Sequence, residues 1–275
     1  MAENELISRR ALLHTGVCGL ATGSLTSWGV SREAYQLQVS RTDLMLPKWD
    51  ADGFRVGVIA DIHLKNDQTI ERARQAVLMM SQEKVDLVCL LGDFVSFTRL
   101  PIVTDIVSVL KPLAGMGCPV VAILGNHDYA SRQIGRVIEG LNATTAKLLV
   151  NETLEVGGVT LAGLDDGIHG APRFDFFGKD RVSKSLLALF HEGDRVEEMP
   201  GHVSLQLSGH SHGGQVCYPN GRPVMPAPLG EKYVAGFFAD TAAPLFVSKG
   251  VGTSGPDFRL FCAPEVNVLT LRSAS

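Results

Sequence analysis

The chain has 275 residues, 45% of them hydrophobic and 20% charged, with a formal net charge of −4; that is an ordinary globular composition, with length enough for one large domain or two small ones. The acidic balance, with no basic run interleaved with aromatics, argues against a nucleic-acid binder, but not against a phosphorylated substrate, because bound metal ions can dominate the local field. Five scattered cysteines, none in a CxxC pair, argue against a disulfide framework, and Cys89 and Cys118 read as small buried hydrophobes.

The chain opens with Ser8-Arg9-Arg10-Ala11-Leu12-Leu13 and a mildly apolar stretch to Val30, interrupted by His14, Thr15, Thr22, Ser24, Thr26 and Ser27. That is too polar for a membrane span, which needs about 20 predominantly apolar residues. It suits a twin-arginine export signal, with an amphipathic helix of a cytoplasmic protein as the alternative. No clear A-x-A site follows, so retention as a membrane anchor stays open. Residues 1–34 are therefore set aside as signal or anchor, and 35–275 are expected to form the folded domain.

Tyr35 to Val39 alternates like an edge strand. Phe54 to Ala60 is a β-branched run ending at Asp61 and reads as a buried strand. Helical spacing over 68–82 puts Ile70, Ala73, Val77 and Met80 on one side. Val85 to Leu91 is the next strand, ending at Gly92-Asp93, followed by a helix over 102–114. Pro119 to Leu124 is the third, ending at Gly125-Asn126-His127-Asp128, followed by a helix over 131–140. Such alternation argues for parallel strands with crossover helices. The second half is richer in strands: Ala146 to Val150, Val159 to Gly163, Leu186 to Phe190, Val203 to Leu207, Leu245 to Ser248 and Val266 to Leu271. The expected fold is α/β, a four-layer α/β/β/α sandwich of two packed mixed sheets. Pro219 to Gly230 reads as a long ordered loop near a site.

Candidate ligands recur where strands end: Asp61 and His63, Asp93, Asn126 with His127 and Asp128, His191, and His210 with His212. In open α/β sheets ligands bind outside the carboxyl ends of the strands. The donors are carboxylate, imidazole and one amide oxygen, without thiolate, which suits Mn, Fe, Zn or Ni and not a thiolate-type structural zinc site. Residues i and i+2 of a strand share a face. If strand geometry carries through Asp61-x-His63 and His210-x-His212, each pair aims at one locus.

The ordered set DIH, GDF, GNHD, a lone His and GHSHGGQ resembles the calcineurin-like metallophosphoesterase family over about Phe54 to Leu271. GHSHGGQ, Gly250 to Thr253, Arg259-Leu260 and Pro264-Glu265 resemble its bacterial branch of exported or membrane-associated phosphohydrolases, some of which hydrolyse UDP-diacylglucosamine in lipid A synthesis. The resemblance implies two divalent metal ions. Asp61, His63 and His212 would hold one, Asn126, His191 and His210 the other, and Asp93 would bridge both. His127 would stabilise the transition state or protonate the leaving oxygen, with Asp128 orienting its imidazole. It implies hydrolysis of a phosphodiester, pyrophosphate or phosphomonoester by a metal-bridged hydroxide, on a phosphorylated small-molecule or lipid-linked substrate. A complete motif set argues against the alternative, a non-catalytic scaffold of the same fold.

His202 competes with His191 for the lone-histidine position. The Asp165-Asp166 pair reads either as an Asx turn or as support for the site. Arg259 could pair with an acid or approach substrate phosphate. Phe174, Phe176 and Phe177, like Tyr233, Phe237 and Phe238, read as core, with an apolar lip as the alternative. Gln215 has no assigned role.

Overall fold

The computed structural model describes residues 33–96, 101–177 and 185–274. The twin-arginine stretch, His14 and Cys18 lie outside them. The folded part takes in Glu33 and Ala34, both buried: the Glu33 carboxylate accepts from the backbone N–H groups of Phe261 and Cys262.

Two six-stranded sheets are packed face to face. In the first, β1 (Gln38–Leu46), β12 (Glu265–Ser273), β2 (Phe54–Ile59), β3 (Leu87–Leu91), β4 (Val120–Ile123) and β5 (Ala146–Leu148) lie side by side in that order. The second runs β10 (Gly236–Phe238), β11 (Leu245–Val247), β9 (Leu205–Gly209), β8 (Leu186–Glu192), β7 (Val159–Gly163), β6 (Glu152–Val156). Each mixes parallel and antiparallel neighbours: β2, β3, β4 and β5 run parallel, while β12 pairs antiparallel with β2 and parallel with β1. This is the α/β sandwich of two mixed sheets that the pattern predicts.

The continuous apolar runs follow from burial on both faces. In β3, Val88 and Leu90 pack under the helices α1 (Asp67–Ser81) and α2 (Ile102–Leu110), while Leu87, Cys89 and Leu91 face the core between the sheets. Cys89 is the small buried hydrophobe the sequence suggests. The α1 helix starts at a reciprocal cap: Asn66 Oδ1 accepts from Thr69 N, and Thr69 Oγ1 accepts from Asn66 N. The α2 helix ends earlier than its spacing suggests. Pro112 lacks the N–H that an α-helix requires, and the chain tightens into a 3₁₀ turn over Lys111–Gly115.

The helix predicted over 131–140 is α4 (Ile134–Asn142), and a short helix that the spacing does not reveal, α3 (Asn126–Ala130), precedes it. The outer face of the second sheet is covered, among the described residues, by a 3₁₀ helix (Gly193–Glu198) and the Phe174–Phe177 segment rather than by α-helix. Phe177 is buried and stacks on Phe174 and Phe176, and Tyr233 joins the same cluster. Phe238 packs against that cluster and Phe237 against the core between the sheets. These aromatics are core, not an apolar lip.

Candidate metal centre

The carboxyl ends of β2, β3, β4 and β9 and the last turn of β8 converge on one buried cluster. Asp61, His63, Asp93, His191, His210 and His212 are each at most 6% exposed. Strand alternation does not bring them together. Asp61 and His63 lie past the end of β2 with φ of 54° and 46°, and His210 and His212 lie past β9 with φ of 70° and 52°. Asp93, at φ 55°, makes a fifth left-handed backbone. Each such non-glycine residue costs about 1–2 kcal/mol, and such strain gathers at functional sites. The i, i+2 expectation thus reaches the right residues by the wrong geometry. The chain leaves the strand, yet stays paired: His63 N donates to Asp93 O at 3.0 Å and Leu64 N to Phe94 O at 2.9 Å.

His191 is inside β8, not after it. It sits where the register with β9 shifts between Leu189 and Glu192, an irregularity that re-aims a side chain. Its rival His202 is exposed and stands edge-on to Phe177, away from the cluster.

The candidate donors fall into two half-sites that meet at one carboxylate oxygen. Asp93 Oδ2 is 3.3 Å from His63 Nε2 and 3.3 Å from His191 Nε2. On one side, His63 Nε2 also faces His212 Nε2 at 3.0 Å, and ligand atoms of Asp61, His63, Asp93 and His212 all lie within 4.8 Å of one another. On the other, His210 Nδ1 is 3.0 Å from Asn126 Oδ1. The outer ring nitrogens are engaged: His191 Nδ1 with Leu91 O at 2.6 Å, His210 Nε2 with Pro228 O at 2.6 Å and His63 Nδ1 with Ser96 Oγ at 2.9 Å. A ring nitrogen that donates to a carbonyl leaves the other as a lone pair aimed into the site, the usual arrangement behind metal-bound histidine.

The charges fit a cation. Burial alone would push Asp93 up, but the His191 and His63 imidazoles hold it well below its ordinary value. Burial would likewise lower His191, yet Asp93 and Asp61 hold it well above. Asp61 is pushed up to about 7 by burial, with Asp93 adding to it. The buried carboxylates thus demand positive charge, which a proton on His191 supplies in the protein alone. Burial pushes His210 down to about 4 and His212 well below 6.5, so both are neutral donors. Asp93 Oδ2 and His191 Nε2 are both buried and face each other as an ion pair at 3.3 Å. The set suits divalent cations of the borderline type.

Glycines make room for this convergence. A Cβ on Gly125 would stand 2.4 Å from Asp93 Oδ1 and 2.7 Å from His191 Cε1, and one on Gly209 would stand 2.6 Å from Asp61 Oδ2.

His127 is outside both half-sites. Its backbone N–H donates to Asp93 Oδ1 at 2.8 Å, and its ring stands edge-on to His63. It lines a cavity of about 280 Å³ with Asp93, Asn126, His210 and His212. Asp128 does not do what the resemblance implies. Its Oδ2 accepts from Asp93 N and Gly125 N, and its Oδ1 from Phe94 N and Val95 N, at 2.8–3.2 Å. The carboxylate is spent on four backbone amides and ties the β3 end to the β4 end; it clamps the loop that carries Asp93 instead of orienting the imidazole.

The undecided residues find places. Asp166 Oδ2 accepts from the N–H groups of Ile168, His169 and Gly170, an Asx-type turn, while Asp165 accepts from Tyr129 Oη and Ala171 N. Among the described residues, fully buried Arg259 neither pairs with an acid nor lines the cavity: its guanidinium donates to the carbonyls of His212, Lys249, Gly250, Gly252 and Cys262. Gln215 grips Ser254 from both sides, with Oε1 accepting from Ser254 N at 2.8 Å and Nε2 donating to Ser254 O at 3.0 Å. That places Ser254 Oγ 3.3 Å from His127 Nε2. Sequence reasoning missed Ser254, because a serine in a Gly/Pro loop carries no signal of its own.

The model of the calcineurin-like phosphoesterases matches residues 54–214, the span that carries all of these candidate ligands. The chain belongs to that family. This phosphoesterase is 28% identical to YkuE of Bacillus subtilis, an uncharacterized metallophosphoesterase, over 98% of its own length and 99% of that protein. It is 30% identical to the phosphodiesterase YaeI of Escherichia coli, over 97% and 100% of the two chains. Among solved structures, the NAD nucleotidase of Haemophilus influenzae superposes with a TM-score of 0.47 at 15% identity, over 72% of this chain and 45% of that one. The protein is a metallophosphoesterase hydrolase whose buried Asp/His cluster suits divalent metal ions.

Proposed function

We propose that this phosphoesterase works with two divalent cations, Asp61, His63 and His212 holding one and Asn126, His191 and His210 the other, with Asp93 between them. The observation that carries this reading is the position of Asp93 Oδ2, equidistant from a histidine of each half-site. Two cations at such a site clamp a phosphoryl group and acidify a water. The chain's own part is to fix the donors, to hold Asp93 as a buried anion and to place His127 beside the cavity that receives the phosphoryl group. His127 donates toward the leaving oxygen and Ser254 sets its imidazole. Metal analysis tests the division. His63→Ala and His191→Ala are each expected to lose about half of the bound metal while remaining folded. Full metal content in both variants would refute the two half-sites.

The bond cleaved is a phosphoester, and the likeness to a relative named as a phosphodiesterase favours a diester, with a pyrophosphate or monoester as the other forms. Mn, Fe, Zn and Ni all suit these donors.

We further propose export by the twin-arginine machinery, or retention as a membrane anchor, through Arg9-Arg10 and the stretch that follows, and so an envelope or lipid-linked substrate. No helix among the described residues is long and apolar enough to cross a membrane. Residues 1–40 fused to a reporter that is active only outside the cytoplasm should give signal, and Arg9→Lys/Arg10→Lys should abolish it; signal that survives the double substitution would refute the twin-arginine route.

A further inference from the structure

A second, larger cavity of about 500 Å³ adjoins the one over the metal centre. The two share His212, Ala227, Pro228 and Ser254 in their walls. Beyond that shared wall the lining is largely apolar: Val216, Val224, Met225, Pro226 and Pro256. The outer lip is held in place. Val224 N donates to Val216 O at 2.8 Å, Cys217 bridges Pro223, and Val216 bridges Leu260. On that fixed lip Val224 is 51% and Met225 80% exposed. Large apolar side chains held open to solvent beside a reaction cavity mark a surface meant to be covered.

The side of the site is set by Ser254. Its hydroxyl is 3.3 Å from His127 Nε2, its backbone is clamped by Gln215, and the residue belongs to both cavities. The apolar cavity therefore opens next to His127, the group assigned above to the leaving oxygen. We propose that this cavity is the leaving-group subsite and that it receives an apolar alcohol, so that the preferred substrates are phosphoesters of alkyl or alkyl-aryl alcohols. The inference rests on the reading of His127 given under the proposed function.

Methyl phenyl phosphate and methyl 4-butylphenyl phosphate test it on the manganese-loaded protein. A para-alkyl group leaves the acidity of the phenol nearly unchanged, so the two esters differ in apolar length and not in leaving-group chemistry. Partial burial of the butyl chain should raise kcat/KM about tenfold. In Val224→Asp and in Met225→Asp the ratio of the two esters should fall to near one; because it is taken within each variant, any general loss of activity cancels. Equal kcat/KM for the two esters in the native protein, or a ratio that survives both aspartates, overturns the proposal. Phenylphosphonate and 4-butylphenylphosphonate, titrated by calorimetry, give the same comparison without turnover. Tighter binding of the butyl compound, lost in the aspartate variants, together with no hydrolysis of either ester would refute the catalytic reading and keep the subsite. Hydrolysis of both esters at equal rates with equal phosphonate affinities would do the reverse.

Discussion

Asp93→Asn should lose most of the bound metal and, with it, hydrolysis of bis-p-nitrophenyl phosphate, while the protein stays folded. The native carboxylate has two separate tasks. Its Oδ1 accepts the His127 backbone N–H at 2.8 Å, and its Oδ2 stands between His63 and His191. An asparagine can keep the first contact with its amide oxygen. Its NH2 then occupies the Oδ2 position, where it presents hydrogens to a place that must present an anion. Such a side chain can bond to neutral His191, so the variant without metal should unfold at a temperature no lower than the native protein without metal. It cannot supply the anion that the proposed pair of cations would share. With several kcal/mol of charge stabilisation at stake, kcat/KM should fall by about 10³ or more. The substitution also removes the main influence that holds His191 above its ordinary pKa, leaving burial to lower it. Retained metal and undiminished hydrolysis in this variant would overturn the site as described.

The sequence carries most of this site because ligands at strand ends are legible one strand at a time. An apolar run that stops at Asp61, at Gly92-Asp93 or at Gly125-Asn126 shows both the strand and its carboxyl end. What it conceals is the conformation just beyond. Left-handed Asp61, His63, Asp93, His210 and His212 are held by pairing with segments distant in the chain, as Asp61 N with Gly92 O and Gly252 N with Asp61 O, and no local pattern encodes that. Asp128 shows the same limit. An aspartate beside a catalytic histidine invites a role in orienting it, yet the four amides it satisfies come from Gly125 and from three consecutive residues after β3. In the fold, β6 and β10 escape notice for simpler reasons. Exposed glutamates interrupt β6, and β10 is three residues long with no fully buried side chain. Gly157-Gly158 was the available sign of the β6–β7 hairpin, both with positive φ.

His127→Ala is expected to keep its metal and lose turnover, by about 10²-fold or more in kcat. The imidazole belongs to neither half-site, so nothing in the ligand set changes when it goes. Its charge state decides how it acts. Burial holds His127 below its ordinary 6.5, with His63 and His191 adding to the effect against the pull of Asp93. A group with a lowered pKa is neutral through pH 7–8, so on the function proposed above His127 would assist as a neutral N–H donor and not as a full imidazolium acid. The pH dependence follows from that sign. An imidazolium acid would give a rate that declines as pH rises through its pKa; a neutral donor gives a kcat that does not fall between pH 6.5 and 8.5. The conservative replacement separates donation from shape: His127→Gln, which keeps an N–H near the same place, should recover part of what alanine loses, with KM little changed in both. Metal content measured on the same samples shows whether a loss of rate is a loss of donor or a loss of site. A falling limb centred near pH 6.5 that disappears in His127→Gln would instead establish imidazolium as the working acid.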